Sequence, residues 1–467
     1  MGGMSSRPPL PQRLARRLLP FSRSRKQPAQ EMPAFAVRPE DIQTLDGPAS
    51  FRSALLTLIK QARRRIVLVA LYLQDDDAGR EVLEALAAAH KANPTLDIEV
   101  YVDWHRARRG LIGKAASEGN AAMYREYATQ HGDAVKVYGV PVQNRELFGV
   151  LHLKGFVIDD DVLYSGASIN DVYLVKHGRY RLDRYHRIHH AGLADSMVRF
   201  AKHHLAESEA VTRLDQRPLP STRDLQAPIR HLRRTLQHAH YTTPHAALKE
   251  GDVAVTPLVG FGRSANQLND ALLMLLRSAQ KRVVIFTPYF NLPRQVRAVL
   301  GHLLGRGCVI DIMVGDKTAN DFYIPPEEPF RKIGLLPYLY ENNLRRFARN
   351  HRAHMLRGQL NLWLWRDGGN SYHLKGLLID DEMALITGNN LNPRAWALDL
   401  ENGLLLRDPS HRLTAQHEAE WAALRRHATR LDDYHALDNP RHYPADVRTL
   451  LRRLRRVRLD RLLNRLL

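Results

Sequence analysis

Cysteine is nearly absent. Cys308 stands alone in 467 residues, so no disulfide can close within the chain, and a reducing compartment fits. Long apolar runs are also missing. None approaches the roughly 20 residues that a membrane-crossing helix needs. Acidic residues are outnumbered, 49 against 69 lysines and arginines, for a formal charge of +20. That balance dictates no fold, but it draws the chain toward polyanions, nucleic acid and anionic lipid first among them. Aromatic residues interleaved with basic ones, as base-stacking modules require, are not found, so specific RNA reading is not expected. Loose, salt-sensitive association with RNA or ribosomes is compatible with charge alone.

What is present is one signature written twice: His-x-Lys-x-x-x-x-Asp. The first copy is His152, Lys154 and Asp159, and the second is His373, Lys375 and Asp380. An imidazole can attack phosphorus and an ammonium beside it can hold phosphate oxygens. Two imidazoles facing each other can divide the work into nucleophile and acid/base. In a strand, residues two apart share a face, so each histidine points with its lysine while the aspartate has opposite parity. Asp159 and Asp380, each before further acidic residues, are expected to organise a hairpin turn with no direct part in the chemistry.

The signature sits inside a longer repeat. Residues 51–73 parallel 268–290, each an amphipathic helix, a basic turn and an apolar strand ending near a tyrosine, Tyr72 or Tyr289. Residues 96–104 and 309–316 follow as matching strands. Helix alternating with apolar strand predicts an α/β fold with mostly buried sheets. The expected division is a basic, disordered arm over 1–33, a first half over 34–212, a linker over 213–228 and a second half over 229–440. The second half begins with a helix near 229–240. A basic amphipathic helix follows over 441–467, where Val447, Leu450, Leu451, Leu454 and Val457 follow helical spacing. That helix fits either an anionic membrane interface or packing of its leucines on the domain. The arm, without an apolar core or small-residue cleavage site, does not read as a secretory leader, and a membrane-docking helix is its alternative.

Beyond each signature the chain turns back through 165–171 and 387–393. Allowing one extra residue in the second hairpin pairs Ser168 with Asn390 and Asn170 with Asn392. These are phosphate-binding candidates, with turn chemistry as the alternative. A nucleophilic histidine needs its far nitrogen held by a group such as a carboxylate. Asp183 and Glu401 lie at corresponding points of the two halves. Asp183 is flanked by Arg181 and Arg184, so a salt bridge competes for it. Two loops, Asp103 to Arg109 and Asp316 to Asp321, follow matching strands and are candidates to read a ligand, against a reading as solvated surface.

The duplicated signature resembles the phospholipase D superfamily. The segments HLKGFVIDDDVLYSGASINDVYL, YRLDRYH, VGDKTANDFYIP, LPYLYENNLRRF and HLKGLLIDDEMALITGNNLNPRAWALDLEN are similar, more narrowly, to its Gram-negative phosphatidylserine synthase branch. The likeness runs from about Phe35 to Leu467. It implies two pseudo-symmetric α/β halves, each a mostly buried mixed sheet flanked by helices, sharing one active site without metal or cofactor. One departure stands out. Many members carry Gly-Ser-x-Asn after the signature, whereas here the order is Gly166-Ala167-Ser168-Ile169-Asn170. The polar donor is then Ser168, Asn170 or both.

The resemblance implies transfer of a phosphatidyl group from CDP-diacylglycerol to L-serine through a phosphatidyl-histidine, releasing CMP. His152 is expected as nucleophile and His373 as acid/base, although pseudo-symmetry keeps the residues themselves from deciding this. The catalytic set is then His152, Lys154, His373 and Lys375 with Asp183 and Glu401. A cytoplasmic enzyme held at the periphery of the inner membrane is implied, its anionic surface met by residues 447–467. A cardiolipin synthase-like transferase, a phospholipase D hydrolase, a nuclease acting on nucleic acid and a non-enzymatic RNA binder are the rivals.

Overall fold

The computed structural model describes residues 32–109 and 118–456. All but the last two residues of the expected N-terminal arm, and 457–467 of the expected C-terminal helix, lie outside that range. Two large mixed sheets are built to the same plan. The first runs, edge to edge, Thr212–Arg213, Lys136–Val140, Asp97–Asp103, Arg65–Val69, Gly155–Ile158, Asp161–Ser165, Tyr185–His189 and Ile42–Thr44. The second repeats that order as Ala428–Arg430, Leu360–Trp365, Val309–Gly315, Arg282–Phe286, Gly376–Ile379, Met383–Thr387, Leu400–Arg407 and Val253–Phe261. Three neighbours in the middle of each are parallel and the rest are antiparallel. Central strands such as Arg65–Val69 and Arg282–Phe286 bury every residue after the first, as sheets covered on both faces require.

The helix Gly47–Gln61 shows how local pattern sets packing. Phe51, Leu55, Leu58 and Ile59 recur at helical spacing and are all buried. The basic turn after it is fixed by the signature. Asp159 accepts the backbone N–H groups of Arg63, Arg64 and Arg65 at 2.9, 2.8 and 3.2 Å. Asp380 does the same for Gln280, Lys281 and Arg282 at 2.6, 2.8 and 2.8 Å. Both aspartates have positive φ, 51° and 53°, a conformation that asparagine and aspartate tolerate better than most residues. The hairpins differ by one residue. Ile158 pairs with Asp161, but Ile379 pairs with Met383.

The expected division of the chain is crossed in three places. Phe35–Val37 pairs antiparallel with Val253–Phe261 and forms the far edge of the second sheet. Arg213 extends the first sheet's edge against Tyr138, and Leu214 beside it is buried, so the linker's first residues belong to the first half. The helix Gln226–Leu236 buries Ile229, Leu232 and Leu236 in the apolar cluster that holds Leu205 and Leu214. Its apolar face thus packs on the first half, against the segment Ala201–Ala206. The same cluster takes in Val255, Val259, Ile386 and Leu404 of the second sheet, so the two halves share one continuous core. The helix Ala445–Arg456 packs Val447 and Leu451 on Leu335, Tyr338 and Leu339, which is the domain-packing alternative for its leucine face.

Candidate active site

The motif segments are exchanged between halves at the level of the backbone. Leu151 bridges Leu400 in parallel; the His152 N–H donates to the Leu400 carbonyl at 2.9 Å, and the Leu400 N–H to the Val150 carbonyl at 3.0 Å. Ser371–Tyr372 lies parallel to Arg181–Leu182, and the His373 N–H donates to the Leu182 carbonyl at 2.8 Å. Each histidine therefore lies next to the carboxylate-bearing segment of the opposite half. The Asn402 side chain tightens one of these joints. Its Oδ1 accepts the Lys154 N–H and its Nδ2 donates to the Lys154 carbonyl, both at 2.8 Å.

Side-chain pairing is crossed in consequence. His152 Nδ1 stands 2.9 Å from both oxygens of Glu401. Burial, with Asp399 beside it, raises Glu401 well above the usual carboxylate range; in its ionised form it accepts Nδ1–H and leaves Nε2 with a free lone pair. His373 Nδ1 meets Tyr173 Oη at 2.8 Å and the Lys375 ammonium, with Asp183 Oδ2 farther away at 3.5 Å. An ammonium only donates, so here Nδ1 accepts and Nε2 carries the hydrogen. Asp183 takes the Lys375 ammonium at 2.8 Å. Its flanking arginines go elsewhere: Arg184 binds Glu420 at 2.8 and 2.7 Å, and Arg181 faces Asp321. The salt bridge that competed for Asp183 thus comes from the opposite half.

Both histidines and both lysines are buried, the lysines at 1% exposure. Glycines make room for them. A Cβ on Gly388 would lie 2.8 Å from Lys154 Cγ, and one on Gly166 would lie 2.8 Å from Lys375 Nζ and 2.6 Å from Asp183 Oδ2. Burial holds His152 well below the ordinary imidazole range, and the charges of Lys154, Lys375 and His373 push the same way. Burial, then Lys375, lowers His373 to about 4 against the pull of Asp183. Burial and the neighbouring Lys375 bring Lys154 down to about 7, while burial lowers Lys375. Burial alone would raise Asp183, but Lys375 and His373 hold it below the usual carboxylate range. The site thus holds neutral imidazoles beside cations in a dry setting, fit to receive an anion.

The turn residues separate by role. Ser168 is buried with Oγ 3.5 Å from Lys154 Nζ. Asn390 has a buried Oδ1 without a partner among the described residues. Asn170 accepts the Tyr173 N–H at 3.1 Å and Asn392 caps a short helix through the Ala395 N–H at 2.8 Å, which is turn chemistry. Of the two loops, Arg106 and Arg109 pair with Glu146, and Lys317 with Glu341 and Asp438. Asp321 alone reaches the histidines: its charge acts on His373. Tyr173 and Asn402 escaped the sequence reading. Their only sign there is position, Tyr173 just past the first turn and Asn402 directly after Glu401.

Comparison with known proteins adds names to this geometry. Residues 272–425 match the family described as "Cardiolipin synthase, PLD-like domain". The chain is 48% identical over 438 residues to a CDP-diacylglycerol–serine O-phosphatidyltransferase of Escherichia coli, covering 94% of this chain and 97% of that protein. It is 46% identical over 440 residues to the enzyme of that name in Haemophilus influenzae, covering 93% and 97%. The crystal structure of the phosphatidylserine synthase of Haemophilus influenzae superposes with a TM-score of 0.91 at 46% identity, over 93% of this chain and 97% of that one.

Proposed function

The chain belongs to the phosphatidylserine synthases of the phospholipase D superfamily, and on that premise we propose how its two histidines move a phosphatidyl group from CDP-diacylglycerol to L-serine. The crossed, unequal pairing of the histidines supports this reading most directly. His152 Nε2 attacks the lipid-bearing phosphorus while Glu401 holds Nδ1–H and steadies the charge that develops on the ring. The bond to CMP breaks and a phosphatidyl-histidine remains. The departing phosphate is a weak base, so a hydrogen bond from His373 Nε2–H is help enough. Lys154 and Lys375 neutralise charge on the phosphoryl oxygens, with Ser168 and Asn390 beside them as further polar contacts.

The second step needs a lone pair on His373 Nε2. Once Lys375 is drawn to the phosphoryl oxygens and CMP has left, the ring changes tautomer through solvent: Nε2 gives its proton to water, and Nδ1 takes one from water and donates it to Asp183. Nε2 then takes the proton of the serine hydroxyl, the serine oxygen attacks phosphorus, and the bond to His152 breaks to release phosphatidylserine. Asp159 and Asp380 hold the strands in register and stay out of these steps.

The decisive experiment supplies CDP-diacylglycerol in mixed micelles with and without serine. Phosphatidylserine appearing only with serine, and acid-labile label on His152, are expected. Phosphatidate formed regardless of serine would point to a hydrolase, cleavage of nucleic acid without lipid turnover to a nuclease, and label on His373 would reverse the two roles. We further propose contact with anionic membrane surfaces through the arginines of the C-terminal segment and loose RNA association through net charge. Among the described residues no helix is long and apolar enough to cross a membrane, in keeping with peripheral attachment at the inner membrane. Vesicle binding unchanged after neutralising Arg448, Arg452 and Arg453 would count against the C-terminal contact.

A further inference from the structure

We propose that Arg181 and Asp321 form a receptor for the two charges of an α-amino acid beside His373. The proposal rests on the transfer reaction above and assigns the residues that select its acceptor. Arg181 lies two residues before Asp183 on one extended segment, so both point to the same side. Its Nε donates to Ser371 Oγ at 3.3 Å and its guanidinium lies 5.2 Å from the centre of the Tyr173 ring. Asp321 accepts from Tyr289 Oη at 2.6 Å. Arg181 Nη2 and Asp321 Oδ2 are 3.6 Å apart, too far for a direct hydrogen bond. Their side chains are only 19% and 12% exposed.

A half-buried pair of opposite charges without a direct hydrogen bond recovers less of its desolvation cost than a closed pair. A ligand carrying both charges repairs this. Its carboxylate binds the guanidinium in the forked geometry such groups favour, and its ammonium meets Asp321 and the Tyr289 hydroxyl. Tyr173 and Tyr289 stand edge-on to His373, ring centres 5.9 and 5.8 Å away, so both arms of the receptor border the same imidazole. The hydroxyl of a bound serine then falls to that ring. The matching place in the other half shows the contrast. Two residues before Glu401 stands Asp399, already bonded to the Val150 N–H at 3.0 Å and to Arg394 at 3.2 Å. Of these two places among the described residues, the His373 side is the one whose opposite charges lack a direct hydrogen bond.

The first test uses the unaltered protein and an acceptor series. L-Serine should exceed 2-aminoethanol, which lacks the carboxylate, and 3-hydroxypropanoate, which lacks the ammonium, by at least about tenfold to a hundredfold in kcat/KM, the worth of one charged hydrogen bond. The second uses Arg181→Gln and Asp321→Asn, with melting curves to verify folding. Arg181→Gln should erase the preference for serine over 2-aminoethanol, and Asp321→Asn the preference over 3-hydroxypropanoate, each mainly through KM. Equal use of all three acceptors by the unaltered protein, or variants that keep its ratios, overturns the receptor. The proposed transfer is judged separately by phosphatidyl-enzyme formed from CDP-diacylglycerol without serine. If that species forms and the ratios do not move, only the receptor falls.

Discussion

Around His152 the partner of Nδ1 is a carboxylate, Glu401, held by both oxygens. Around His373 it is an ammonium and a phenol, Lys375 and Tyr173, with the carboxylate of Asp183 one step behind. The segments that carry the two rings lead into matching strands, Gly155–Ile158 and Gly376–Ile379, yet the rings meet partners that favour opposite tautomers. One presents a lone pair and the other a hydrogen. Duplication supplied two equal imidazoles, their partners differ, and the proposed division of labour rests on that difference.

The sharpest way to break the comparison is to remove each ring in turn. His152→Ala should abolish the covalent intermediate and lower turnover by roughly 10⁴-fold or more, whereas His373→Ala should still release CMP once per enzyme and then stall. Rapid-quench measurement of CMP checks this; a burst in the first variant and none in the second would exchange the roles. Next come the carboxylates. Glu401→Gln should cost about 10²- to 10⁴-fold, by leaving the nucleophile in the wrong tautomer, and more than Asp183→Asn in single-turnover CMP release. Equal losses would mean that the pairing does not distinguish the rings.

Smaller in effect is the response to pH. His373 must be neutral to take a proton, so kcat/KM should rise as pH passes about 4. Lys154 must be charged to hold phosphate, so it should fall as pH passes about 7. Lys154→Arg, always charged, should erase the alkaline fall. A profile flat from 6 to 9 for the unaltered protein would show that Lys154 is not the clamp. The least effect on chemistry is expected from Asp159→Ala or Asp380→Ala. Each should reduce folding stability by about 2 kcal/mol, through loss of backbone hydrogen bonds to a charged group. Denaturant titration measures the loss, and the folded fraction should keep its phosphatidyl transfer.

Much of this was legible in the chain. Apolar strands at period two, helices at 3.6 and a signature recurring at matched places foretold two like sheets and named both histidines. The carboxylates were visible as residues at corresponding offsets. Their partners were not, because 249 residues separate His152 from Glu401, and periodicity marks a face without saying what lies across it. For the same reason the strand Phe35–Val37 read as part of the first half although it closes the edge of the second sheet. The helix Gln226–Leu236 read as the start of the second half because its leucine spacing says only that some core is covered, and it packs on the first half's segment Ala201–Ala206 within the shared core.

The exchange of backbone segments, with Leu400 beside His152 and Leu182 beside His373, ties assembly of both dyads to the meeting of the two halves. A polypeptide emerging from the ribosome has its first reactive ring long before residue 401 exists to steady it. A chain that ends before residue 401 therefore carries His152 without its carboxylate partner. In a catalyst that handles lipid precursors, the paired site can assemble only after residue 401 has been made.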